Sequence, residues 1–100
     1  MIYYIDIDNT ICITENSDYA NSRPVYERIE KINQLFREGH TIIYWTARGA
    51  NSGIDWQDFT NQQLDSWGCL RQSILLGKPH YDIYIDDKSI NDKTFFREKL

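Results

Sequence analysis

The chain has 100 residues, 41% of them hydrophobic, two cysteines and a formal net charge of -4. That suffices for one domain spanning 1–100 but not for a second core, so a single site is expected. Scattered basic residues under a negative net charge argue against nucleic acid or an anionic membrane as partner. Cys12 and Cys69 lack metal-ligand spacing, and with no leader-like or membrane-spanning stretch the expected compartment is the cytoplasm.

Residues 1–7 are apolar and β-rich enough for a central strand. Over 26–38, Ile29, Ile32, Asn33, Leu35 and Phe36 fall near helical spacing ahead of a stop at Gly39. Thr41–Trp45 is a second β-branched and aromatic run, and Phe59, Gln62, Gln63, Leu64 and Trp67 predict a second helix over 58–67 that stops at Gly68. Residues 73–76 read as a weak short strand, 81–85 as a clearer one, and 90–100 as a short charged helix or an irregular tail. Helices between strands imply parallel pairing through right-handed crossovers. The expected fold is α/β, a three-layer Rossmann-like open sheet with helices on both faces.

Such sheets bind ligands outside the carboxyl ends of their strands. The first strand is followed by Asp6, Asp8 and Thr10, the second by Thr46, Ala47 and Arg48, the third by Gly77, Lys78 and Pro79, and the last by Asp86 and Asp87. Asp6 and Asp8 lie one residue apart, so both reach one pocket where the strand ends. Two unit charges about 4 Å apart repel by roughly 4 kcal/mol at an effective dielectric near 20, a cost that a divalent cation removes. The competing reading is a strand that runs into an acidic surface turn.

Taken in this order, the four clusters resemble the haloacid dehalogenase superfamily of phosphotransferases over essentially the whole chain. Asp6 through Thr10 match its Asp-x-Asp-x-Thr motif, Tyr44-Trp45-Thr46 its strand ending in Thr, Lys78 its lysine, and Asp86-Asp87 its acid pair. The resemblance implies a magnesium-dependent phosphatase that forms an aspartyl phosphate on Asp6, with Asp8 as general acid and base. It implies substrate contacts from Thr46, Ala47 and Lys78, and a magnesium site of Asp6, Asp8 (through its carbonyl), Asp87 and Asp86, with Asp87 as the direct ligand of the acid pair. Arg48 can contact a substrate anion or pair with an acid of the chain. Asp92 either orients metal-bound water or is a surface aspartate.

The family's cap domains have no room here. Residues 11–23 suffice for a flap and 49–57 for a loop, with Tyr19, Arg23 and Trp56 as candidate pocket residues. This is similar to the capless branch, whose open site needs closing by a bulky substrate, by local loops or by a neighbouring subunit. The expected substrate is a phosphorylated sugar or similar metabolite, with a homo-oligomer closing the site. The rival is a receiver-like phosphoryl switch, which also uses acids, Thr or Ser, Lys and magnesium; its motif order differs, because its acid pair follows the first strand. A relative that binds a phosphoryl ligand without turning it over is the other alternative. His40 and His80 have no zinc spacing and read as ordinary turn or strand-edge residues.

Overall fold

A computed structural model describes residues 1–97. The strands β1 (Ile2–Ile5), β4 (Thr41–Trp45) and β5 (Ser73–Leu75) form one parallel sheet in the order β1-β4-β5. Between β1 and β4 the chain makes a two-residue ribbon, β2 (Cys12–Ile13) antiparallel to β3 (Arg23–Pro24), and the helix α1 (Tyr26–Arg37). The helix α2 (Gln57–Ser66) joins β4 to β5, and α3 (Asp92–Phe96) follows. Gly39 and Gly68, at φ +95° and +73°, end the two long helices as their sequence positions predict. The closing segment expected over 90–100 is helical at α3; its last residues lie outside those described.

Alternation along β4 sets the core. Ile42 and Tyr44 are fully buried and pack with Ile5 and Ile74 from the flanking strands, Ile29 and Ile32 from α1, and Leu64 from α2. Burying an Ile or Leu side chain contributes about 1.5–3 kcal/mol, so this cluster dominates the stability of the sheet. Asn33, also buried, ties α1 to the turn after α2: its Nδ2 donates to the Gly68 carbonyl and its Oδ1 accepts from the Leu70 N–H, both at 2.8 Å. Its polar cost is thereby offset.

The fold departs from expectation in two places. Both helices serve the same core, because two right-handed crossovers that advance β1 to β4 to β5 put α1 and α2 on one side. Among the described residues no helix layer covers the opposite face. Ile2 and Tyr4 on that face are 68% and 56% exposed, and Leu75, on β5 at the far side of β4, is exposed on the same face. The second departure is 81–85, which forms no strand: Ile83 and Ile85 are 79% and 92% exposed.

Chain reach explains the missing strand. The Lys78 N–H donates to the Thr46 carbonyl at 3.2 Å, and the register Ile5↔Tyr44 puts Thr46 level with Ile7. A parallel strand beside β1 that starts level with Met1 would begin about 20 Å lower and about 10 Å across, at about 3.3 Å per residue and about 4.8 Å per strand. The links from residue 78 to 81 span at most about 11 Å. While Lys78 keeps its place, 81–85 cannot lie parallel to β1 of its own chain.

Burial also acts on two titratable groups of the core. Desolvation pushes the Cys69 thiol up to about 12 and the Tyr44 hydroxyl up as well, the two side chains lying against each other. Below about pH 9 the thiol is protonated in both folded and unfolded chains and its contribution to stability is fully present. Above that pH only the unfolded chain releases the proton, so stability falls as pH rises towards 12. We expect the Tm to decline steadily above pH 9, and to decline less in Cys69→Val; equal slopes in a pH series would remove Cys69 as the cause.

Candidate functional site

Parallel register places the residues that follow β1, β4 and β5 at one end of the sheet. There they line a cleft of about 490 Å³, whose walls include Asp6, Asp8, Thr46, Ala47 and Lys78. These five expected site residues are brought together from positions as far apart as 6 and 78.

Asp6 stands at the centre of this group. The Thr10 hydroxyl donates to Asp6 Oδ2 at 3.0 Å, and Lys78 Nζ lies 3.4 Å from Asp6 Oδ1. A tight turn makes the first contact: the N–H groups of Thr10 and Ile11 both donate to the Ile7 carbonyl, and Asn9 takes a left-handed φ of 62°. Asn tolerates that conformation better than most residues. The ammonium of Lys78 also sits over the rings of Trp45 and Tyr81, 5.5 and 5.3 Å from their centroids. Lys78 is therefore held in the site from three sides rather than solvated in a turn.

Thr46 is buried, and its Oγ1 accepts from the Arg48 N–H at 3.1 Å. With that acceptor role filled, its own proton remains to be donated to an oxygen in the cleft.

Arg48 resolves the choice left by the sequence. Its guanidinium is fully buried and grips Asp8 in a two-pronged pair, Nη2 to Oδ1 at 2.8 Å and Nε to Oδ2 at 2.9 Å. Nη1 donates to Thr60 Oγ1 and Gln63 Oε1, and the Tyr19 ring covers the group at 4.5 Å. These contacts commit four of its five N–H donors to the chain. The expectation that Arg48 meets substrate is thus corrected: it positions Asp8. The Thr14 hydroxyl adds a 2.6 Å bond to Asp8 Oδ1, which leaves Oδ2 the less crowded oxygen.

The loop after Arg48 holds Tyr19 over it. Gly49 has φ +83°, and a Cβ there would collide with the Ile54 carbonyl oxygen and crowd Trp56, whose ring meets Tyr19 edge-on at 4.9 Å. A left-handed φ alone costs a non-glycine residue about 1–3 kcal/mol. Gly49→Ala is expected to lose at least that much in urea denaturation; a change within error would contradict this account of the loop.

The expected acid pair is not part of this cluster. Asp86 and Asp87 are exposed; Asp86 Oδ2 accepts from the Lys88 N–H at 2.9 Å, and neither lines the cleft. Among the described residues no group of three or more His, Cys, Asp or Glu side chains is placed to hold a metal ion. One chain on its own therefore does not fit the magnesium site expected from the sequence. The cause is the one that unpairs 81–85: without that strand nothing carries its acids to the end of the sheet. Asp92, for which the sequence leaves a water-orienting role and a surface role open, pairs with Arg28 at 2.7 Å, while the same guanidinium bonds the Thr10 carbonyl.

The flap expected over 11–23 is the β2–β3 ribbon with a 3-10 turn at Tyr19–Asn21. Tyr19 lines the cleft; Trp56 backs Tyr19, and Arg23 stays at the surface opposite Glu15. Thr14, Asn16, Ser17 and His80 also line the cleft, and the sequence singled out none of them as a pocket residue. Asn16 and Ser17, at φ 51° and 58°, mark the turn of the flap, a local signal that polar turn composition could have raised. Among the described residues no helix is long and apolar enough to cross a membrane.

No protein-family model and no curated protein matches the chain. The fold is similar to that of a crystallised MCSG target from Vibrio cholerae, with a TM-score of 0.86 at 27% identity, covering 99% of this chain and 89% of that one.

Proposed function

We propose that the protein is a capless phosphatase similar to the haloacid dehalogenase phosphotransferases, hydrolysing a phosphate monoester through an aspartyl phosphate on Asp6. The observation that carries this reading is the convergence of Asp6, Thr46 and Lys78, from the ends of three parallel strands, on one open polar cleft. In the reaction an Asp6 oxygen attacks phosphorus in line, the ester oxygen leaves, and water then displaces the carboxylate to release phosphate. Lys78 and the Thr46 hydroxyl hold the charge that spreads over the transferring oxygens. Asp8, steadied by Arg48, passes the proton to the leaving oxygen and takes one from the attacking water. Arg48 acts by fixing the direction of Asp8 and not by touching substrate.

Hydroxyl and amide groups of Thr14, Asn16 and Ser17 around the cleft suit a polyhydroxylated leaving group, which supports a phosphorylated sugar or similar metabolite as substrate. The test is hydrolysis of p-nitrophenyl phosphate with magnesium, followed by a panel of sugar phosphates. Turnover above that of an Asp6→Asn control supports the reading; equal rates contradict it.

A further inference from the structure

Four observations concern the same edge of the molecule. Among the described residues β1 pairs only with β4, so its other edge presents unpaired backbone groups. Beside that edge lies an apolar sheet face that carries the exposed Ile2 and Tyr4. Residues 81–85, Tyr-Asp-Ile-Tyr-Ile, have the composition of a strand and expose both isoleucines. Finally, the two acids that follow this segment are those the cleft lacks. Parallel sheets are seldom left open on a face, and exposed apolar segments of this kind mark an association surface.

We propose that 81–85 of one copy pairs in parallel with the unpaired edge of β1 in a second copy, and reciprocally, so that each site receives Asp86 and Asp87 from the other chain. While Lys78 keeps its place, pairing within one chain is ruled out by reach, since residues 78 to 81 span about 11 Å where about 22 Å is needed. A second copy has no such tether. Parallel direction follows from the chemistry, because only then do the acids arrive at the end of β1 that carries Asp6. Period-2 alternation selects the register: with Ile85 level with Ile5, both Ile83 and Ile85 turn to the buried side, Tyr84 stands beside Tyr4 on the open face, and Asp86 comes level with Asp6. The exchange is self-complementary, as a two-fold dimer requires. Assigning Asp86 and Asp87 to the site rests on the phosphatase reading; the strand exchange does not.

The experiment is built on Tyr4→Cys/Tyr84→Cys in the full chain, oxidised and run without reductant. Both positions are exposed, whereas the native Cys12 and Cys69 are buried. Exchange predicts a dimer by light scattering for the unmodified chain and a covalent dimer for the variant. A monomer, an internally bridged monomer, or an uncrosslinked dimer would overturn it. Mixing Asp6→Asn with Asp87→Asn chains after denaturation reads the site itself. Each variant alone is inactive, and random re-pairing restores about a quarter of the wild-type rate, because half the dimers are hybrids with one intact site each. A crosslinked dimer with an inactive wild type would remove the phosphatase reading and leave the exchange; an active wild type with neither crosslink nor restoration would do the reverse, and a crosslinked, active dimer without restoration would overturn the assignment of Asp86 and Asp87 to the site.

Discussion

If the phosphatase reading holds, Asp6→Asn is expected to lower kcat on a phosphate monoester by on the order of 10⁴-fold or more, since an amide cannot form the acyl phosphate and the other carboxylate of the cleft lining, Asp8, is held by Arg48. Asn keeps the size of the side chain and an oxygen for the Thr10 hydroxyl, which donates at 3.0 Å. What it removes is the partner of Lys78, 3.4 Å away in a partly exposed pair. Such pairs contribute about 0–1 kcal/mol, so stability should change little. The expected signature is a collapse of kcat with an unchanged urea midpoint. If the midpoint fell as far as the rate, Asp6 would be a structural residue.

The second large effect is structural. Arg48→Met should cost about 3–5 kcal/mol, because it leaves Asp8 charged beside a buried apolar side chain and strips a donor from Thr60 and Gln63. Against a total stability of about 5–15 kcal/mol that is a large fraction. Arg48→Lys restores the charge but not the fork that spans Oδ1 and Oδ2, and should recover only part of the loss. Pairing Arg48→Met with Asp8→Leu removes the uncompensated charge and should be less damaging than Arg48→Met alone. A double variant as unstable as the sum of its parts would show that the two side chains do not act on each other.

Much of this architecture is local in origin and hence readable from the chain. The apolar runs that become β1, β4 and β5 are β-branched or aromatic, and Gly39 and Gly68 stop α1 and α2 where no other residue takes a positive φ cheaply. Once three parallel strands are assumed, Asp6, Thr46 and Lys78 must meet, since each follows a strand. The errors concern relations between distant segments. The fork of Arg48 on Asp8 joins residues forty positions apart, and spacing rules carry no signal for it. Alternating helices and strands suggest coverage of both sheet faces, yet a strand order that advances in one direction stacks both crossovers on one side. Residues 81–85 have the composition of a strand, which is why the sequence predicts one there, but they form none. A strand also needs an edge within reach, and the short link from Lys78 denies it one in its own chain.

The proposal that Asp6 is a nucleophile is tested most directly by quenching the protein in acid within milliseconds of mixing it with a phosphate monoester and locating any covalent phosphoryl group by peptide mass spectrometry. The account predicts one phosphoryl group on the peptide that contains Asp6, labile to hydroxylamine and absent from Asp6→Asn. Full-rate hydrolysis with an unmodified Asp6 peptide at every quench time, or a phosphoryl group on another residue, would contradict it.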